Sequence, residues 1–241
     1  MYKHFFKWFF EVVISFFAII VLAFPMLVLA IVIKCDSKGP VFFRQKRIGL
    51  HKSTFTILKF RTMRTDTPHD APTHELSDPQ KWITKVGGFL RKTSLDELPQ
   101  IFNIFVGHMS IIGPRPALWN QDDLIAERDK YGANDVRPGL TGWAQINGRD
   151  ELEIAVKAKL DGEYVEKLGF AFDCKCFFGT IKSVLKSDGV VEGGTGELER
   201  RAEASGDAAA HEAAMGTAVE PVLSESVAEE AAIAVNAEEE A

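Results

Sequence analysis

An uninterrupted apolar run near the start of the chain constrains its fold more than any other feature. Residues Val12 to Ile33 carry no charge over 22 positions, and only Ser15 and Pro25 interrupt their apolar character. At about 1.5 Å rise per residue, a helix of this length covers a hydrocarbon core of roughly 30 Å. The run is also longer than the apolar region of a typical signal peptide. We therefore predict a membrane helix rather than a cleaved leader.

Two membrane topologies are open on the residues alone. Two lysines precede the apolar run and five basic residues follow it by Arg47, so the positive-inside tendency draws both ends toward the cytoplasm. Pro25 lacks a backbone donor and favours a bend near the middle of the helix. A bent helix with both ends cytoplasmic would be re-entrant, whereas a kinked span would place the N-terminus outside. In both cases the chain after Ile33 is expected on the cytoplasmic face.

The charge is distributed unevenly along the chain. Between Glu197 and Ala241 there are twelve acidic and two basic residues, so this segment carries −10 and the remainder +4 of the total of −6. From Gly193 onward there is no aromatic residue, and such a composition cannot bury enough apolar surface to offset chain entropy. We therefore expect a membrane helix at 1–36, a folded domain at the cytosolic face at 37–192, and a disordered acidic Ala/Glu-rich tail at 193–241.

The middle of the chain shows both strand and helix patterns. Residues 41–64 alternate apolar and basic side chains, which predicts short strands or a hairpin. Apolar residues at helical spacing over 82–90 predict an amphipathic helix with a basic side, lying in the membrane interface or packed on the domain core. Further helices are expected at 117–131, 151–168 and 172–184. The predicted fold class is α+β, mostly helical, with amphipathic interfacial helices and a short β-hairpin.

Asp96 and Glu97 allow two interpretations. Ser94 stands three residues before Glu97 in a capping-box pattern, and acidic residues in a first turn complement the helix dipole. Two adjacent carboxylates also suit a Mg²⁺ ion whose coordination is completed by phosphates. Arginine binds phosphate in a bidentate manner, and four arginines lie in or beside Gly/Pro-shaped loops: Arg91, Arg115, Arg137 and Arg149. Carboxylates and cations beside a membrane anchor indicate phosphoryl transfer at an interface.

Four motifs occur in a fixed order along this chain. They are Lys59-Phe60-Arg61-Thr62-Met63, Ser94-Leu95-Asp96-Glu97-Leu98-Pro99-Gln100, Gly113-Pro114-Arg115-Pro116 and Arg137-Pro138-Gly139-Leu140-Thr141-Gly142. Each motif alone is a weak signal. Together, behind an N-terminal membrane segment, they resemble the bacterial sugar transferases known as monotopic phosphoglycosyl transferases. The resemblance covers about residues 2–191, so only the tail lies outside it.

The resemblance implies an activity and a location. Members of the family transfer a phosphosugar from a UDP-sugar to a polyprenyl phosphate, usually undecaprenyl phosphate, and release UMP at the bacterial cytoplasmic (inner) membrane. It implies that Asp96 is the nucleophile on the β-phosphorus and that Glu97 supports it, with both carboxylates at a Mg²⁺ site. The family's membrane helix is re-entrant and broken at a Ser-Pro pair. Here Phe24 stands before Pro25, so the proline is kept and the serine is not.

Further substrate contacts are assigned by charge. Lys59 and Arg61 are expected to face the lipid phosphate or headgroups. Arg91, Arg115, Arg137 and Arg149 are expected to face the diphosphate or nucleotide. The expected partners are a UDP-sugar, a polyprenyl phosphate and the lipid bilayer, with downstream glycosyltransferases as candidate protein partners.

Two other classes of function compete with this one. A non-catalytic membrane scaffold of a polysaccharide-assembly complex would use the acidic tail as its partner-binding element. A nucleic-acid binder is not expected, because a charge of +4 on residues 1–196 is small and no nucleic-acid-binding fold signal is present.

Overall fold

The computed structural model describes residues 2–67, 79–148 and 152–186. The predicted tail and Arg149 therefore lie outside the described residues. The helices are α1 (Lys7–Asp36), α2 (Lys85–Lys92), α3 (Gln100–Phe105), α4 (Asp122–Asp129), α5 (Trp143–Ile146), α6 (Ile154–Lys167) and α7 (Phe170–Lys186). The strands are β1 (Phe42–Ile48), β2 (Thr54–Phe60), β3 (Ser110–Ile112) and β4 (Gly139–Thr141). The chain is mostly helical with short strands, as predicted.

Helix α1 is a continuous helix of 30 residues that runs through Pro25. Many of its apolar side chains are exposed, including Val21 at 72% and Phe24 at 74%. By length and composition it is able to cross a membrane. Apolar surface of this extent is unfavourable in water. The helix is therefore compatible with membrane insertion, as predicted.

Both ends of α1 contact the same folded domain. Near the N-terminus, the buried Lys7 ammonium lies 2.7 Å from a carboxylate oxygen of Asp173 in α7. Near the C-terminus, Ile33 belongs to a buried apolar cluster that also contains Phe60 and Leu90. Lys7 is thus neutralised inside the protein, so it is a poor indicator of membrane topology, although its charge had entered the sequence argument.

The basic segment after α1 folds as the predicted hairpin. Strands β1 and β2 are antiparallel, with Phe42 opposite Phe60 at the open end and Ile48 opposite Thr54 near the turn. Alternate residues of β2 face inward, so Phe55 and Ile57 join one apolar cluster. This alternation positions Lys59, further along the same strand, beside the segment that carries the acidic pair.

Helix α2 is the predicted amphipathic helix. Leu90 is fully buried, whereas Phe89 remains 58% exposed. The helix begins after Thr84, whose side chain accepts a hydrogen bond from the Gly87 amide, as is usual for an N-terminal cap. One apolar face therefore packs on the domain core, and the prediction of an interfacial position stays a prediction.

A parallel pair of three-residue strands escaped the sequence analysis. Ser110 pairs with Gly139 and Ile112 with Thr141. Strands this short carry no alternating pattern, and their Gly/Pro-rich surroundings indicate loops. The pair joins the Gly-Pro-Arg-Pro segment to the Gly-rich loop, so two of the four motifs are brought together by backbone hydrogen bonds.

The remaining predicted helices are present with shifted bounds: α4 and α6 are shorter than predicted, and α7 is longer. The helix expected at 117–131 is α4, and it is fastened to α6 by a buried ion pair. The Arg128 guanidinium donates two hydrogen bonds to one Asp161 oxygen, at 2.8 and 2.6 Å. Tyr164 of α6 is 1% exposed and packs in a cluster with Ile112 and Cys176. Helices α6 and α7 therefore pack against β3 through this cluster.

Candidate active site

The acidic pair lies in a tight turn between α2 and α3. Ser94 adopts the left-handed conformation with φ 56°, and residues Leu95–Glu97 then form one 3₁₀ turn. Left-handed backbone is uncommon outside glycine and marks a sharp change of chain direction. The turn leaves Asp96 only 8% exposed. The two carboxylates are thus held in the interior of the domain by a single 3₁₀ turn rather than by a regular α-helix.

The capping-box interpretation of this segment is wrong. Ser94 makes no side-chain capping hydrogen bond at the start of the 3₁₀ turn. The Glu97 side chain does not reach back to it either, because one oxygen accepts hydrogen bonds from Lys59 and Arg115 instead. A left-handed Ser94 cannot take the extended backbone that an N-cap requires. The pair therefore has no capping role.

Three cations surround the carboxylates. Lys59 Nζ and Arg115 Nη2 each lie 2.8 Å from the same Glu97 oxygen. Lys59 Nζ is also 3.9 Å from Asp96 Oδ2. Arg91, at the end of α2, donates from Nε to the Thr62 hydroxyl at 2.8 Å, and its charge acts on Asp96. Lys59 and Arg115 come from two separate motifs and Arg91 from the end of α2, so the fold brings together cations that are distant in sequence.

The two carboxylates have opposite electrostatic surroundings. Burial raises the pKa of the Asp96 carboxyl, and the neighbouring Glu97 charge adds to this effect against the opposing pull of Lys59, Arg91 and Arg115. Burial also acts to raise the pKa of Glu97, but its ion pairs with Arg115 and Lys59 outweigh burial and hold that pKa well below its usual range. Glu97 is thus a fixed anion that orders the cations.

Asp96 has fewer close partners than Glu97 among the described residues. Among the residues that the structure describes, its side chain has Lys59 at 3.9 Å and no closer ion-pair partner. A carboxylate that is neither saturated by hydrogen bonds nor fully hydrated keeps its lone pairs available for an electrophile. Perturbed pKa values in two adjacent acids are typical of catalytic sites.

The metal-binding capacity of the site is limited. In residues 2–67, 79–148 and 152–186 no group of three or more His, Cys, Asp or Glu side chains could hold a metal ion. Asp96 and Glu97 supply two carboxylates, and one Glu97 oxygen already accepts two cationic donors. Such a pair fits an ion like Mg²⁺, which is usually held by one or two carboxylates and completed by substrate phosphates and water.

Arg61 is engaged elsewhere, although its motif also supplies Lys59. The residue is 5% exposed, and its guanidinium donates hydrogen bonds to the carbonyl oxygens of Ser37 and Lys38, at 2.8 and 2.5 Å. These contacts tie the end of β2 to the chain just after α1. The structure therefore gives Arg61 a structural role, and its predicted contact with the lipid phosphate stays a prediction.

Arg137 is also placed apart from the acidic pair. Its Nε donates to the Gly107 carbonyl at 3.1 Å. Its side chain lines a cavity of about 250 Å³ beside the N-terminal end of α1, whose other walls include Lys3, Trp8 and His51. The structure thus brings Lys59, Arg91 and Arg115 to Asp96 and Glu97, but not Arg61 or Arg137, and Arg149 lies outside the described residues.

Sequence reasoning missed a second buried polar cluster. It contains Lys7 and Glu11 of α1 together with Asp173 of α7 and Tyr164 of α6. A charged pair spaced i, i+4 at the edge of an apolar helix was a usable signal, since charges there are costly unless they have partners. The distant partner Asp173, however, carries no local signal.

Comparison with known proteins agrees with the ordered motifs. A family model described as "Bacterial sugar transferase" matches residues 2–187. The chain is 42% identical over 159 residues to "Uncharacterized sugar transferase EpsL" of Bacillus subtilis (strain 168), covering 66% of this chain and 77% of that protein. It is 36% identical over 188 residues to "Exopolysaccharide production protein PSS" of Rhizobium leguminosarum bv. phaseoli, covering 73% of this chain and 93% of that protein.

A longer relative carries a more specific name. The "UDP-glucose:undecaprenyl-phosphate glucose-1-phosphate transferase" of Escherichia coli (strain K12) is 38% identical over 177 residues, which cover 68% of this chain and 37% of that protein. The chain therefore spans only about a third of the length of this relative.

Proposed function

Because the chain belongs to the bacterial sugar transferase family, we propose that it is a phosphoglycosyl transferase acting on a UDP-sugar and a polyprenyl phosphate. The name of the longer relative specifies UDP-glucose and undecaprenyl phosphate for that protein. The chemical class of both substrates, a nucleotide diphosphate sugar and a lipid phosphate, suits a cationic site on a membrane-bound domain. The sugar itself is left open.

The observation that carries this proposal is the unequal use of the two acids. Glu97 is bound by Lys59 and Arg115, both at 2.8 Å, whereas among the described residues the nearest ion-pair partner of Asp96 is Lys59 at 3.9 Å. A scaffold protein gains nothing from a buried carboxylate left without a close partner, since such burial is unfavourable. A nucleophile needs this arrangement, and cations at its side can receive the charge of the diphosphate.

The proposed reaction has two displacements at one phosphorus. An Asp96 oxygen attacks the β-phosphorus of the UDP-sugar and forms a carboxyl–phosphate bond, while the bond between that phosphorus and the bridging oxygen breaks and UMP leaves with the electron pair. An oxygen of the polyprenyl phosphate then attacks the same phosphorus, and Asp96 leaves as a carboxylate. Two steps of this kind let a water-soluble donor and a lipid acceptor use one site in turn.

The cations have separate tasks in this scheme. Lys59 lies between both carboxylates and would contact the transferring phosphoryl group, while Arg115 and Arg91 would neutralise the remaining diphosphate oxygens. Asp96 and Glu97 are the residues that would hold Mg²⁺, which supplies charge neutralisation of the diphosphate when bound. Loss of activity on chelation, with recovery on addition of Mg²⁺, is the expected result, and full activity in excess chelator would refute the metal assignment.

We also propose that α1 is re-entrant. Contacts to one domain at both Lys7 and Ile33 support this, because a straight crossing would separate these residues by roughly 40 Å along the helix and place them at opposite faces of the bilayer. The domain's charged surface cannot follow both ends through lipid. In sealed inverted vesicles, an N-terminal tag and the domain should therefore be protease-accessible together. Protection of the tag alone would refute this topology.

The central test uses the full chain in detergent or nanodiscs with a panel of UDP-sugars. We expect UMP release with at least one donor, and a sugar-phosphate mass added at Asp96 after incubation with donor alone. Asp96→Asn should abolish both signals and Glu97→Gln should leave little activity, whereas Asp122→Asn, at an exposed position of α4, should behave as the unaltered chain. Normal turnover by Asp96→Asn would refute the nucleophile assignment.

The scaffold alternative predicts a different pattern. Inactivity of the intact chain with every UDP-sugar would favour it. A chain lacking residues 197–241 should keep full turnover if the protein is the transferase proposed here.

A further inference from the structure

Glu11 is a buried carboxylate in the membrane helix with no part in the reaction described above. It is 7% exposed and accepts hydrogen bonds from the Ser110 hydroxyl at 2.6 Å and from the Ile111 amide at 2.9 Å. Lys7, one helical turn earlier, lies 3.0 Å from the same oxygen. The two hydrogen bonds join the N-terminal half of α1 to strand β3, 99 and 100 residues further along the chain, whereas the Lys7 contact lies within α1.

The same polar cluster holds β3 from its other end. Lys7 continues to Asp173 at 2.7 Å, and the Tyr164 hydroxyl lies 2.8 Å from Asp173 and 3.0 Å from the Ile112 carbonyl oxygen. The single hydroxyl proton of Tyr164 serves one of these two acceptors at a time. Every residue of β3 is therefore in contact with the cluster, through a side chain, an amide or a carbonyl.

Strand β3 leads directly to the active site. Only Gly113 and Pro114 separate it from Arg115, whose guanidinium is 2.8 Å from Glu97. The Gly113 amide donates to Thr141 at 2.8 Å, and the Pro114 carbonyl accepts from Gly139 at 2.8 Å. Proline also fixes the local backbone. A connection this short and this well bonded passes a displacement of β3 on to Arg115.

The contacts of Glu11 explain why a charged residue is buried at this position. Burying a carboxylate and an ammonium at the edge of an apolar helix is unfavourable unless each contact is used. An apolar side chain would satisfy the helix but would leave the Ser110 hydroxyl and the Ile111 amide without Glu11 as acceptor. A carboxylate accepts hydrogen bonds from both groups at once, and it thereby fixes the position of β3 along α1.

We propose that Glu11 is a positioning residue for Arg115, and that through it the membrane helix sets the geometry of the cationic site. The proposal rests on the transferase function stated above. Glu11 touches no substrate in this scheme. It holds β3 at Ser110 and Ile111, β3 fixes the Gly-Pro-Arg segment, and Arg115 is thereby placed on Glu97.

A double-mutant cycle tests this assignment, using kcat of the full chain with saturating donor and acceptor. Glu11→Ala should lower kcat on the order of 10- to 100-fold, since a misplacement of about 1 Å in a catalytic site has effects of that size. Arg115→Lys keeps the charge but loses the forked geometry. In that background, Glu11→Ala should lower kcat less than about threefold, because residues that act as one unit are not additive.

Matched variants separate positioning from general stability. Tyr2→Phe removes the hydroxyl that donates to Asp173 at 2.7 Å but leaves the contacts of β3 in place, so its kcat should stay within about twofold of the unaltered chain. Glu11→Gln retains an acceptor oxygen and should give an intermediate loss. If Glu11→Ala does not fold, Glu11→Gln replaces it in the cycle.

The outcomes are distinct. The same fold-loss from Glu11 substitution in both Arg115 backgrounds would overturn the proposal, since a merely structural role acts equally in each. An unchanged kcat for Glu11→Ala would also overturn it. Absence of turnover in the unaltered chain would refute the proposed function itself, and the positioning role with it.

Discussion

Gly87 and Gly88 are neighbours in α2, yet replacement by alanine should have opposite effects at the two positions. A Cβ atom at Gly87 would lie 2.6 Å from the carbonyl carbon and 2.8 Å from the Cα of Thr62, with the Thr62 carbonyl oxygen closer still. At Gly88 the nearest atom would be Ile83 Cγ2, at 3.9 Å. The first position is closed by backbone that cannot rotate away, and the second is open.

The size of the effect follows from these distances. Carbon atoms rest about 3.5 Å apart, so α2 would have to retreat from Thr62 by roughly 1 Å in Gly87→Ala. That movement would weaken two hydrogen bonds to Thr62. The Thr84 amide donates to the Thr62 carbonyl at 3.0 Å, and Arg91 donates to the Thr62 hydroxyl at 2.8 Å. Overpacking of this kind costs about 1–3 kcal/mol. Because Arg91 moves with the helix, we also expect turnover to fall by about 100-fold.

Gly88→Ala is the matched control. Alanine in a helix interior is favoured over glycine by roughly 0.5–1 kcal/mol, and nothing at Gly88 opposes it. In a domain of this size 1 kcal/mol corresponds to about 2–4 °C in melting temperature. Thermal unfolding should therefore shift down by about 2–12 °C for Gly87→Ala and up by about 1–4 °C for Gly88→Ala. The packing argument fails if both variants melt and turn over alike.

Two further predictions concern stability and thiol chemistry. Asp161→Leu leaves the 4%-exposed Arg128 without its ion pair and should cost about 3–5 kcal/mol in unfolding free energy, whereas Arg128→Met combined with Asp161→Leu should recover most of that loss. Equal melting temperatures for the single and double variants would contradict this. Burial raises the pKa of the Cys176 thiol to about 11, so few of these groups are thiolates at pH 8, whereas Cys35 is exposed. In the folded chain, iodoacetamide at pH 8 should alkylate Cys35 well before Cys176, as measured by peptide mass spectrometry. In denaturant it should alkylate both. Rapid alkylation of Cys176 in the folded chain would contradict its burial.

The hairpin and the helices were predictable because their signals are local. The alternation in Phe55 to Lys59 depends on the two-residue repeat of a strand, and the spacing of Val86 and Leu90 depends on the helical repeat. The long apolar helix was equally predictable, since an uncharged segment of this length is typical of helices that cross a membrane. Each of these elements is specified by a pattern that extends over about 20 adjacent residues or fewer.

The members of the candidate site were predictable only in part, because the structure places two of the predicted basic residues, Arg61 and Arg137, away from the acidic pair. The ordered motifs identified Asp96 and Glu97 and a set of basic residues, yet Arg61 and Arg115 look alike in sequence. The fold directs Arg61 to the carbonyls of Ser37 and Lys38 and Arg115 to Glu97. Ser94 similarly looks like a helix cap, and its left-handed backbone decides otherwise.

The residue order alone was enough to predict a long apolar helix compatible with membrane insertion, a small mixed domain and an acidic pair among basic motifs. The packing of the folded chain fixes which cation contacts which carboxylate, which of two glycines faces the Thr62 backbone, and that Glu11 accepts from Ser110. The physical reason is distance along the chain. Local repeats fix helices and strands, whereas contacts between residues 18 to 99 positions apart depend on how all the intervening elements pack.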